Sequence, residues 1–88
     1  MKQQVCAVRD TALDAYMRPI YAQTVIQAQR MFLDAINQRD SEMNAHPEDY
    51  NLYHLGEWND GNAEYKPLAN GPALISRGLD CIRQRDIS

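Results

Sequence analysis

No apolar run in this chain approaches the roughly 20 residues that a membrane-crossing helix needs, which argues against a spanning segment of that kind. Cysteine is scarce: the two present, Cys6 and Cys81, lie near opposite ends. So few are no disulfide framework. They are a tie between the ends, a pair of metal ligands or, the reading favoured by a reducing compartment, two small buried hydrophobes. Only four glycines occur and none are clustered, so no glycine-rich loop is available to cradle a phosphate. Lys and Arg are missing altogether from residues 41–65, a stretch that holds six acidic side chains (Glu42, Glu48, Asp49, Glu57, Asp60, Glu64). Such a segment repels a nucleic-acid backbone, so any contact with one must come from the ends of the chain. Met1-Lys2-Gln3-Gln4 runs straight into strand-like sequence, so no signal peptide is expected. The expectation is a cytosolic protein.

What is present is enough to fold. With 44% hydrophobic and 24% charged residues, the chain is too apolar to remain disordered. Its 88 residues make one domain, 1–88, at the small end of the usual range. A chain of this size hides only about 60–65% of its unfolded surface, so its margin of stability is thin and a homodimer is a natural remedy.

Residues 2–9 read as a strand, with Val5, Ala7 and Arg9 on one face and Gln4, Cys6 and Val8 on the other. Asp10-Thr11-Ala12 looks like a turn, and Leu13 to Tyr16 has the makings of one helical turn. The apolar Tyr16-to-Tyr21 segment, broken by Pro19, packs over the core or meets a partner. Thr24 is a good N-cap, and Val25, Ala28, Met31, Phe32, Ala35 and Ile36 recur at helical spacing behind it. Asn44 is a candidate C-terminal cap before Pro47. A second strand spans about 50–58, with Leu52, His54, Gly56 and Trp58 on one face and Tyr53, Leu55 and Glu57 on the other. Gly56 within it signals a bulge or a close backbone approach. Asn59-Asp60-Gly61-Asn62 is a hairpin signal, followed by a third strand from Ala63 to about Pro67. After Asn70-Gly71-Pro72, the residues Leu74, Ile75, Leu79 and Ile82 fall on one side of a final helix. The expected fold is α+β: a small, three-stranded, largely antiparallel sheet with one main helix packed on it, in the order β-α-β-β-α. Phe32 and Trp58 should be buried, and Arg30 and Asp34 exposed.

Little in the residues speaks for catalysis. His46, Glu48, Asp49 and His54 match no metal-ligand spacing, and neither cysteine has a visible base or oxyanion pocket. The expectation is no enzyme, no cofactor, no metal and no catalytic residue. Binding of single-stranded nucleic acid fits better, since it needs aromatic faces interleaved with cations. The tyrosines at 16, 21, 50, 53 and 65 and Trp58 offer the rings, although rings of this kind also fill small cores. The candidate contacts are Lys2, Arg9, Arg18, Tyr53, Lys66, Arg77, Arg83 and Arg85.

The sequence His46-Pro47-Glu48-Asp49-Tyr50, followed by Leu52-Tyr53-His54-Leu55-Gly56-Glu57, resembles the small nonstructural protein of gokushovirus-type microviruses, which are phages with single-stranded DNA genomes. The strand from Lys2 to Asp10, the Pro19 segment and the helix end Ala35-Ile36-Asn37 are similar to that family as well. The final segment with Leu79-Asp80-Cys81-Ile82 matches no pattern of it. The resemblance implies a nonstructural accessory protein in the cytoplasm of an infected bacterium. It would act in genome synthesis or packaging by binding viral single-stranded DNA, the replication initiator or procapsid proteins. No catalytic residues come with it. The alternative is a homodimeric module that binds a phage or host protein without touching DNA.

Overall fold

The computed structural model describes residues 1–82. Along the chain come β1 (Lys2–Asp10), β2 (Ala15–Tyr16), β3 (Ile20–Ala22), α1 (Val25–Ile36), α2 (Glu42–Ala45), a 3-10 turn (Pro47–Asp49), β4 (Tyr50–Asn59), β5 (Glu64–Pro67), β6 (Ala73–Arg77) and α3 (Gly78–Cys81). The expected three-stranded sheet with one main helix is therefore overturned. The fold is mostly β, a six-stranded antiparallel sheet flanked by short helices.

The long antiparallel pair of β1 and β4 is the spine, paired from Lys2↔Asn59 to Asp10↔Tyr50. Each of its outer edges is lined by two short strands. On the free edge of β1, β3 pairs with Gln4–Cys6 and β2 with Arg9 and Asp10, while Met17 N–H bonds the Val8 carbonyl between them. On the free edge of β4, β5 pairs with residues 56–59 and β6 with residues 51–54. Proline explains the interruptions. Pro19 and Pro67 have no N–H to give to a ladder, so a continuous outer strand cannot pass through them.

The expected C-terminal helix is overturned by the same ladder. Leu74 and Ile75 lie in a strand, and among the described residues of this segment only Gly78–Cys81 is helical. The 51–54 half of β4 would otherwise leave a row of peptide groups unpaired, and β6 satisfies them. The segment before Tyr16 is likewise no helical turn. The buried carboxylate of Asp10 accepts from the N–H groups of Ala12 (3.0 Å) and Leu13 (3.3 Å), closing an Asx turn that returns the chain as β2.

Helix α1 forms where its sequence places it. Thr24 Oγ1 accepts from Gln27 N–H at 3.0 Å, and Gln27 Oε1 accepts in turn from Gln23 N–H at 2.8 Å. Its buried residues Ala28, Phe32 and Ile36 pack on Cys6, Val8, Ala22, Tyr50 and Leu52, and this is the core. Met31, assigned to the same stripe, is instead exposed. Arg30 and Asp34 are exposed as expected. Asn44 Nδ2 donates to the last α1 carbonyl, Ile36 O, at 3.0 Å, and Asn37 Nδ2 donates to Leu33 O (2.8 Å) and Cys81 O (3.1 Å). Both cysteines are free thiols.

One irregularity decides what the rest of β4 faces. Val5 pairs with Gly56 but Cys6 pairs with His54, so Leu55 is an extra residue in the ladder. Such a bulge reverses the alternation beyond it. Leu52 and His54 lie on the helix side, whereas Trp58 is moved to the opposite face and is only half-buried. The single-face grouping of Leu52, His54, Gly56 and Trp58, and the expected burial of Trp58, are corrected by this one residue. Gly56 meets both readings of a strand glycine. It adjoins the bulge, and a Cβ there would stand 2.2 Å from Lys66 O.

Candidate nucleic-acid interface

Residues directly opposite one another on paired strands share a face, so the pairings define two surfaces. The helix-side surface is apolar only beneath α1. Beyond it, Lys2, Gln4, Glu57, Asn59, Glu64 and Lys66 form a polar end. There His54 Nε2 lies 2.9 Å from Gln4 Oε1 and 3.2 Å from Gly56 O, and Gln4 Nε2 donates to Glu57 Oε2 at 3.2 Å. Lys2 and Lys66 share a shallow cleft with Glu57 and Glu64. The two ammonium groups and the two carboxylates there belong to one mixed-charge cleft.

Among the described residues no helix lies across the opposite surface, yet it is not the polar face that an uncovered antiparallel sheet usually presents. Four rows cross it. The first is Tyr16–Arg9–Asn51–Arg77, and next come Ala7–Tyr53–Leu74, then Tyr21–Val5–Gly56–Pro67, then Gln3–Trp58–Tyr65. Two edge-to-face ring pairs straddle β1: Tyr16 with Tyr53 at 5.7 Å between centroids, and Tyr21 with Trp58 at 6.2 Å. They roof the small residues of the spine, which is why Ala7 and Val5 are buried on a face without a helix. Tyr16, Tyr21, Tyr65 and Leu74 still expose between two-fifths and just over half of their surface. The Arg9 guanidinium lies 5.6 Å from the Tyr16 ring centroid, within cation–π range. Arg9 also pairs with Asp14, and Arg77 Nε donates to Asp80 Oδ2 at 3.0 Å.

The candidate contacts thus divide. Arg9, Tyr53 and Arg77 are brought together on the aromatic face. Lys2 and Lys66 lie on the other face, and Arg18 is exposed on the loop between β2 and β3. Arg83 and Arg85 fall outside the described residues. Asn51 and Leu74, which share the face, were not legible as candidates. Asn51 carries no distinctive pattern, and Leu74 fitted a helical stripe. Tyr50, also a candidate ring, is core, and its hydroxyl is pushed up in pKa by burial and then by Asp10, Glu42 and Asp49. Among the described residues no group of three or more His, Cys, Asp or Glu side chains could hold a metal ion. Nor is any helix there long and apolar enough to cross a membrane.

The model of the Phage ORF5 protein family matches residues 3–81. The chain belongs to that family. The match is consistent with the likeness to microvirus nonstructural proteins carried by residues 46–57, and it makes this a small phage protein. It also extends through Leu79-Asp80-Cys81, a segment whose sequence alone fitted no pattern of the microvirus proteins. No curated protein and no solved structure matches the chain.

Proposed function

We propose that this phage protein is an accessory factor in single-stranded DNA genome synthesis or packaging, and that it binds the strand on the aromatic face of its sheet. One observation carries the reading. Among the described residues, a sheet face with no helix across it presents two ring pairs, Tyr65 beside them and a row that includes Arg9 and Arg77. Bases stack on such rings whatever their sequence, each contributing about 1–3 kcal/mol, and cations nearby hold the phosphates. Binding is then modest and insensitive to sequence.

Titration of labelled oligothymidylate at two salt concentrations tests this. Affinity should fall with salt at a slope of about −0.7 per phosphate contacted. Replacing Arg9 and Arg77 with Ala should flatten the slope, whereas replacing Lys2 and Lys66 should not. Absence of binding even at low salt would refute the reading.

A second reading, a protein-interaction module or homodimer, is favoured by a different place. Exposed Ile26 borders a groove of about 330 Å³ lined also by Leu33, Ser76 and Cys81, between α1 and the β6–α3 segment. Sedimentation at high concentration, and binding of phage replication or procapsid proteins by a variant with Ile26→Glu, test that alternative.

A further inference from the structure

We infer that the row Arg9–Asn51–Arg77 is a phosphodiester-binding site, and that Asp14 and Asp80 occupy its two cations when no strand is bound. The inference rests on the DNA-binding reading above and adds its anion site and the internal competitor.

Three strands build the row. Arg9 on β1 and Arg77 on β6 each lie opposite Asn51 on β4, so the three residues share one face. Adjacent strands lie about 4.8 Å apart, so the two arginine backbones are separated by roughly 10 Å. Each guanidinium holds a carboxylate from a local turn. Arg9 has Asp14 from the turn before β2, and Arg77 has Asp80 three residues on in α3. A guanidinium accepts a carboxylate and a phosphate with the same fork of donors. The two aspartates therefore stand where phosphate oxygens would bind. Both pairs are solvent-facing, with side-chain exposures of 34% and 81% for Arg9 and Asp14, and 64% and 62% for Arg77 and Asp80. Pairs this exposed are weak enough for an incoming anion to displace. Asn51 lies between them, and Tyr16 continues the row, so an anion there has a ring at its flank. Asp14 has the left-handed φ of 55°, a conformation that Asn also tolerates. An Asp14→Asn change therefore removes the charge and keeps the turn.

The consequence is measurable. When a phosphate replaces a carboxylate, the freed aspartate recruits a cation from solution, and this hides part of the counterion release. Removing both carboxylates should uncover it. The experiment titrates labelled oligothymidylate against the full chain, Asp14→Asn/Asp80→Asn, and the charge-matched control Glu57→Gln/Glu64→Gln, whose side chains lie on the opposite face. The Asp14/Asp80 variant should bind about three- to tenfold more tightly. Its salt slope should steepen by up to about 1.4, which is 0.7 for each of two contacts. The control should show neither change. Inorganic phosphate at matched ionic strength should not displace the strand. Displacement would assign the row to free phosphate and overturn the strand as its occupant. An unchanged slope in the Asp14/Asp80 variant, or an equal change in the control, overturns the internal competitor while leaving DNA binding intact. Failure of every version to bind overturns the DNA reading and the site with it.

Discussion

Gly78→Ala is the substitution on which sequence and tertiary structure disagree in sign. In a helix Ala is favoured over Gly by about 1 kcal/mol, so a helix running from Pro72 would be strengthened by the change. In the fold, Gly78 is instead the buried first residue of the four-residue α3. A Cβ there would stand 2.3 Å from Pro47 O, 2.5 Å from Tyr50 O and 2.9 Å from Ile36 Cδ1. The isoleucine methyl can turn aside, but the two carbonyls belong to backbone. Pro47 O also accepts the Tyr50 N–H that closes the 3-10 turn, so moving it breaks a bond. Overpacking typically costs about 1–3 kcal/mol, with clashes against backbone near the upper end. At the first position of a helix the propensity gain is smaller than in its interior, so the clash wins by roughly 2 kcal/mol. With a urea slope of about 1–2 kcal/mol/M, the unfolding midpoint should drop by about 1–2 M. A midpoint equal to or above that of the parent protein would refute the argument, and with it the docking of α3 on the 3-10 turn.

Phe32→Ala empties the centre of the core, since Phe32 is almost fully buried, and should cost about 3–5 kcal/mol; a thermal melt within a few degrees of the parent's would contradict the helix-on-sheet packing. Asp60 accepts from the N-terminal ammonium at 2.7 Å and from Gln3 at 3.3 Å, and the ammonium's hydrogen bond and charge hold its carboxyl below the usual 3.8. A depressed folded pKa gives stability that is present above the unfolded value and lost as pH falls through the folded one. Asp60→Asn should therefore make the urea midpoint less sensitive to acid below about pH 4, and superimposable acid curves would exclude the clamp. Burial raises the pKa of the Cys6 thiol, so in a Cys81→Ser variant a thiolate-directed reagent should label Cys6 only as fast as the protein unfolds; rapid labelling of Cys6 in the native variant would mean that β1 is not central.

Local chemistry was legible in the sequence. The Thr24 cap and the Ala28, Phe32, Ile36 stripe specify α1, because capping and helical spacing act within a few residues. The Asn59–Asn62 turn, the strand before it and the strand ending at Pro67 were readable for the same reason. The tyrosines and Trp58 were visible as candidate stacking rings, although Tyr50 is core. Tertiary structure decided the rest. Strands as short as β2, β3 and β6 carry little pattern of their own. They exist because the edges of β1 and β4 have peptide groups to satisfy. The bulge at Leu55 alone determines that Trp58 joins Tyr21 and Tyr65 on the outer face, since one added residue reverses every side chain after it. Cross-strand pairing likewise sorts cations that composition could not distinguish. Arg9 and Arg77, 68 positions apart in sequence (77 minus 9), share a row across the sheet, while Lys2 and Lys66 are turned to the other side among carboxylates.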